Sequence, residues 1–130
     1  MTLTLYIATA AVFLILDAIM LSLVMKPLFT RHIGPLLAEP IRIAPSALFY
    51  LAYVAGLVYL VSLPALKTGA PLLVPALIIG LMAYGTYEFT SWSIMRDWHW
   101  TMVAADVTWG AFLTAFSAWA GVAITRAIHG

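Results

Sequence analysis

Apolar residues run through this chain in four long blocks, and the polar positions gather in short clusters between them rather than alternating. The first block, Leu3–Met25, is interrupted only by Thr4, Thr9, Asp17 and Ser22. The others cover Pro45–Leu63, Pro71–Met95 and Thr101–Ile124. A helical membrane span takes about 20 apolar residues, and inside lipid only helices or closed barrels satisfy the backbone. The pattern therefore predicts an all-α integral membrane four-helix bundle. One domain, residues 1–130, is expected, with spans near 3–25, 45–63, 71–95 and 101–124.

The connections carry the punctuation. Lys26-Pro27 is expected to close the first span, since a basic residue suits the headgroup level and proline resists helix continuation. Leu28 to Ala44 spaces its apolar residues like a helix lying in the interface, broken at Gly34-Pro35 and Glu39-Pro40. Pro45 opens the second span at a position where proline is tolerated. Pro64 and Lys67-Thr68-Gly69 predict a tight turn. In Arg96-Asp97-Trp98-His99-Trp100, the residues Trp98 and Trp100, with Trp92 nearby, read as interface anchors. The first block lacks a basic n-region and a fitting small-residue cleavage site, so it is expected to be retained as a span.

Composition narrows the class further. Of the 130 residues, 65% are hydrophobic and 8% charged, whereas soluble domains are about half apolar and roughly a quarter charged. A net charge of +1 without a basic run gives no nucleic-acid surface. The absence of cysteine removes disulfides, thiolate chemistry and Cys-ligated metals. The connections after the first and third spans hold Lys26, Arg31, Arg42 and Arg96, against Lys67 and Arg126 on the other side. By the positive-inside rule both termini are expected outside the cytoplasm.

Against this background the acids stand out. Asp17, Glu88 and Asp106 lie inside apolar blocks, while all six Lys and Arg lie outside them. At 1.5 Å of rise per residue, Asp17 comes about 12 Å from Met25 and Glu88 about 10 Å from Met95. Asp106 comes about 9 Å from Trp100 and Tyr53 about 12 Å from Pro45. All four distances run from the same membrane face, so the three acids and the tyrosine share one layer.

Each acid has polar company at helical spacing. Tyr84 and Ser91 stand at i−4 and i+3 from Glu88, within the stretch that also holds Tyr87 and Thr90. Tyr50 and Tyr53 form an i, i+3 pair that Gly56 extends, and Trp109 and Gly110 follow Asp106 by one turn. Lipid offers an ionisable group no partner, so these faces are expected to turn inward together. No Lys or Arg inside a span can neutralise the acids. Protonation, with hydroxyl and indole groups completing the hydrogen bonds, or a bound cation must do so. A hydrogen-bonding lock between helices is the simpler use of a lone acid such as Asp17. His32 and His99, with Asp97 or Glu39, form a second candidate for a metal, against a plainer reading as solvated loop residues. No Ser-His-Asp set, phosphate-cradling glycine loop or H-E-x-x-H helix occurs.

The residues also resemble a known family. Ala47-Leu48-Phe49-Tyr50 followed by Tyr53, Gly56-Leu57 and Tyr59 looks like the second span of domain-of-unknown-function family 2177, small bacterial inner-membrane proteins with four predicted helices. That family typically carries an early Asp, a Tyr-acid-x-Thr motif in the third span and Asp-x-x-Trp-Gly in the fourth. Here these read Asp17, Tyr87-Glu88-Phe89-Thr90 and Asp106-Val107-Thr108-Trp109-Gly110. Glu88 stands where Asp is more frequent, and Met20 where a Trp often follows the first acid. The resemblance implies a multi-pass protein of the bacterial inner membrane and names no cofactor or activity.

Three functions follow as expectations. The first is binding or transport of a proton, cation or small solute by Asp17, Glu88, Asp106, Tyr50, Tyr53, Tyr84, Tyr87, Thr90, Ser91 and Trp109, in a homodimer. The second is a non-catalytic accessory subunit of a larger membrane complex, suggested by the minimal loops, the many aromatic residues and the small-residue stripes Gly80, Ala83 and Ala111, Ala115, Ala118. The third, an enzyme using two carboxyls as acid and base, has no motif beyond the acids themselves.

Overall fold

Two prolines that should end helices instead sit inside them. In the computed structural model, which describes residues 1–36 and 43–129, four long helices are present: α1 Thr2–Ile33, α2 Ala44–Thr68, α3 Leu73–Ile94 and α4 Trp100–His129. All four are long and apolar enough to cross a membrane. Helix α1 passes through Pro27 and α2 through Pro64, where chain breaks were expected. In each case a π-helical turn precedes the proline, Leu21–Met25 before Pro27 and Val58–Ser62 before Pro64. A proline ring collides with the carbonyl four residues back, which belongs to Leu23 and Leu60 respectively. Both carbonyls lie in the widened turns, whose i→i+5 register makes room for the ring.

Helix α1 is therefore 32 residues long, about 48 Å at 1.5 Å per residue. A bilayer core is about 30 Å thick, so the last turns of α1, from Lys26 onward, project beyond it. A 3₁₀ turn, Gly34–Leu36, follows. Of the expected interfacial segment, residues 37–42, with Glu39 and Arg42, lie outside the described residues. Helix α2 stops at Gly69, whose φ of 73° is left-handed and lets its N–H return to the Ala65 carbonyl at 3.0 Å. The prolines at the start of α3 are harmless, because first-turn N–H groups have no intrahelical partner.

The helices alternate in direction. Leu28, Phe29 and Ile33 of α1 pack against Met95, Trp98 and Met102 at one end of the bundle. At the other end His129 meets Thr4 at 3.0 Å, and Arg126 donates to the Ala65 carbonyl at 3.2 Å. The α1–α2 and α3–α4 connections thus share one end and the termini the other.

Helix α4 is the centre. Buried residues make up 56% of its most apolar window, against 17–28% for the other three helices. Small residues let its neighbours approach closely. A Cβ on Gly80 would lie 2.7 Å from the Ala111 Cα, and one on Gly121 would fall on the Thr9 side chain. Ala76, Ala115 and Ala118 pack with Leu57 and Val61, while Leu5, Phe13, Val54 and Leu113 form the core of the α1–α2–α4 side.

Candidate functional site

The polar residues meet where α4 faces the other helices, nearer the loop end than the termini. Glu88 of α3 has no exposed surface. Its Oε1 accepts the indole N–H of Trp98 at 3.0 Å, and its carboxyl lies within hydrogen-bonding reach of Asp106 on α4. Oε2 has no donor among the described residues. Two carboxyls at that range attract only when a proton or a cation lies between them, because as bare anions they repel.

Asp17 of α1 is 4% exposed and sits one step from this pair. Its Oδ1 accepts the Trp109 indole N–H at 3.2 Å, the Tyr50 hydroxyl stands beside the same carboxyl, and Oδ2 has no donor among the described residues. The half-buried Asp106, one helical turn before Trp109, is within electrostatic reach of Asp17. The three acids therefore form a pair and a satellite, with Trp109 and Tyr50 engaging the satellite Asp17.

Tyrosines wall the cluster on the side of the termini. The Phe13 ring packs between Tyr50 and Tyr53, at 5.6 and 5.7 Å. The Tyr53 hydroxyl bonds to Thr114 Oγ1 at 2.9 Å. The Tyr84 ring lies on Gly110, where any side chain would overlap it, and stands edge-on to Tyr53 at 6.4 Å. Its buried hydroxyl has no partner among the described residues. Ser91 is buried one turn from Glu88.

Two expected site residues stand apart from this core. Thr90 is exposed, because two residues turn an α-helix by about 200° and put it opposite Glu88. Tyr87 is 53% exposed and meets the cluster only by its ring, edge-on to Trp98 at 5.8 Å. Trp98 corrects a further expectation. It is 6% exposed and buried over Glu88 rather than anchored at the interface. The reversal is made at Met95, whose backbone turns extended (φ −109°, ψ 127°) and ends α3. Trp92 and Trp100 are exposed, at 44% and 59%. Neither Trp98 nor Thr114 was expected at the cluster. Thr114 could have been found as the residue two turns beyond Asp106 on its helical face.

The second candidate resolves differently. His32 and His99 stack with ring centroids 4.4 Å apart and planes 10° from parallel. Thr101 joins them, 2.8 Å from His99 Nδ1 and 3.5 Å from His32 Nε2. The in-plane lone pairs of parallel rings do not converge on one ion. Among the described residues no three His, Asp or Glu side chains are grouped to hold a metal; Glu39 falls outside those residues. At this bundle end, desolvation, with His99 and Arg31 nearby, holds His32 below the usual histidine value of 6.5.

The comparison with protein families now decides the kinship. The chain belongs to the DUF2177 family. The family model, described as a predicted membrane protein, matches residues 2–123, a stretch holding every polar residue of the cluster. No match is found among curated proteins or among solved structures. As a DUF2177 protein with four candidate spans, the chain is a multi-pass membrane protein in contact with lipid.

Proposed function

We propose that the Glu88–Asp106 pair is a proton-binding site, and that the protein takes up and releases protons, or a small cation in their place, within the bacterial inner membrane. One observation carries this reading. Two carboxyls lie close together, Glu88 wholly buried and Asp106 half-buried, with no Lys or Arg beside them among the described residues. Such a contact is favourable only when a proton or cation is shared. A proton fits better than a multivalent metal, because the third acid engages Trp109 rather than converging on the pair. The excess of Lys and Arg in the connections after α1 and α3 supports an orientation with the Trp98 end at the cytoplasm and both termini outside. A homodimer is the expected working unit, since four helices enclose little space for a path of their own.

The accessory-subunit alternative rests on the short connections and many exposed aromatic residues more than on its small-residue stripes. Gly80, Ala111, Ala115 and Ala118 are spent on contacts within the bundle, so these stripes do not wait for a partner.

Reconstitution into liposomes with an internal pH dye tests the proposal. The wild type should dissipate a pH gradient and Glu88→Gln should not. The infrared carbonyl stretch of a protonated carboxylic acid should also be present in the wild type and weakened in Glu88→Gln. No flux in the wild type, or equal flux in both, refutes the reading.

A further inference from the structure

The polar character of α4 does not stop at the carboxyl pair. Asp106, Gly110, Thr114, Ser117, Gly121 and Thr125 follow one another at steps of four, four, three, four and four residues, which places them on one face of a helix. All but the half-buried Asp106 are buried. From Asp106 to Thr125 the seam rises about 28 Å, close to the thickness of a bilayer core. Residues of the other three helices face it: Tyr84 on Gly110, Tyr53 on Thr114 and Thr9 on Gly121. Ser62 of α2 lies between the levels of the Tyr53–Thr114 and Ala65–Arg126 contacts.

Three hydroxyls in this part of the bundle are orphans. Ser62 and Ser117 have no exposed surface, and their Oγ atoms, like the Tyr84 hydroxyl, have no partner among the described residues. Serine inside a helix usually closes back on the carbonyl four residues earlier, as Thr9 and Thr125 do here at 2.7 Å. Ser62 and Ser117 do not. A buried hydroxyl without a partner costs about 1–3 kcal/mol, and in natural proteins an ordered water normally fills that role.

We infer that ordered water molecules bond to the orphan hydroxyls of Tyr84, Ser117 and Ser62 along this seam, between the carboxyl pair and the bundle end that carries the termini. Tyr84, Thr114, Ser117 and Ser62 provide successive hydroxyls that both donate and accept, which is what passing a proton between waters requires. The seam lies on the side of the carboxyl pair that leads toward the termini. Its use by protons rests on the function proposed above; its hydration does not.

Water-edited solid-state NMR on the labelled wild-type protein in lipid bilayers reads hydration directly. Thr114, Ser117 and Ser62 should gain water polarisation severalfold faster than Phe112, Phe116 and Trp119, which face outward from the same helix α4. Equal, slow transfer at both sets overturns the inference whatever Glu88→Gln does. A second readout is thermal: Ser117→Ala should lower the melting temperature if water bonds to the hydroxyl. It should raise it if the hydroxyl is a dry orphan, which also overturns the inference. In liposomes Ser117→Val should slow proton release severalfold while the Glu88 infrared band persists. Unchanged release in that variant removes the conducting role even from a wet seam.

Discussion

Trp98 closes over Glu88, its indole N–H reaching ten residues back along the chain to Oε1 at 3.0 Å. Phe29 and Tyr87 brace the indole edge-on at 5.3 and 5.8 Å, so the donor is held in place by packing. Trp98→Phe keeps most of that packing and removes the donor, leaving one buried carboxyl oxygen without its bond. A loss of about 1–3 kcal/mol is expected, measured by unfolding in detergent. Trp100→Phe, at an exposed position, should stay within about 0.5 kcal/mol of wild type. Equal effects of the two substitutions would mean that the Trp98 contact contributes nothing beyond a surface ring.

The Tyr84 ring lies directly on Gly110 and leaves no room there for a side chain. Gly110→Ala should destabilise by about 1–3 kcal/mol through overpacking and displace Tyr84 from its place beside the acids. Gly85→Ala, on the neighbouring turn of α3, meets nothing within 4 Å. It should be neutral or gain up to about 1 kcal/mol of helix propensity. A Gly110→Ala protein as stable as Gly85→Ala would place the Tyr84 ring elsewhere.

Why was so much of the cluster legible beforehand, and Trp98 not? Helical rise is fixed, so counting residues from the span ends put Asp17, Glu88 and Asp106 at one depth, and the structure brings them together. Glu88 and Asp106 are joined across α3 and α4, and Trp109 ties Asp17 to the same helix. Rotation about the helix is fixed too. Thr90 was drawn in by its adjacency in the motif, though the helical turn sends it outward. Trp98 depends on a loop reversal at Met95 that no periodicity encodes, and a tryptophan beside a membrane span ordinarily reads as an anchor. The helices continue past Lys26-Pro27 and Pro64, where the sequence predicts their ends, for a related reason. A π turn that accommodates proline is a choice of tertiary packing, here around Met25, Val58 and Val61, and the local sequence does not announce it.

The stacked histidines give a prediction at the bundle end. Protonating both rings would place two cations about one stacking distance apart, with Arg31 beside them. His32 is accordingly held below 6.5. The folded protein binds that proton less readily than the unfolded chain, so the contact is intact above pH 6.5 and weakens as pH falls through the lowered value. NMR titration of the imidazole signals should give His32 a midpoint below 6.5, and His99→Gln should move it part of the way back. A midpoint unmoved by that substitution would leave desolvation, the larger cause, acting alone.

The carboxyl pair makes the final prediction, in which stability and proton binding separate. In Glu88→Gln the amide oxygen can still accept from Trp98, and the amide N–H₂ supplies toward Asp106 the hydrogen that a shared proton supplies in the wild type. The substitution should therefore leave the fold within about 1 kcal/mol of wild type while abolishing proton release, because an amide does not titrate. Glu88→Leu fills similar space but strands the Trp98 N–H and isolates Asp106 in the interior. It should cost about 2–5 kcal/mol, one to two orphaned polar groups' worth. If instead a bound cation holds the pair together, Glu88→Gln loses half of the charge that attracts the ion. It should then fall toward Glu88→Leu in stability, and adding the ion would stabilise the wild type alone. Unfolding of the three proteins side by side, with and without monovalent and divalent cations, distinguishes a shared proton from a shared ion.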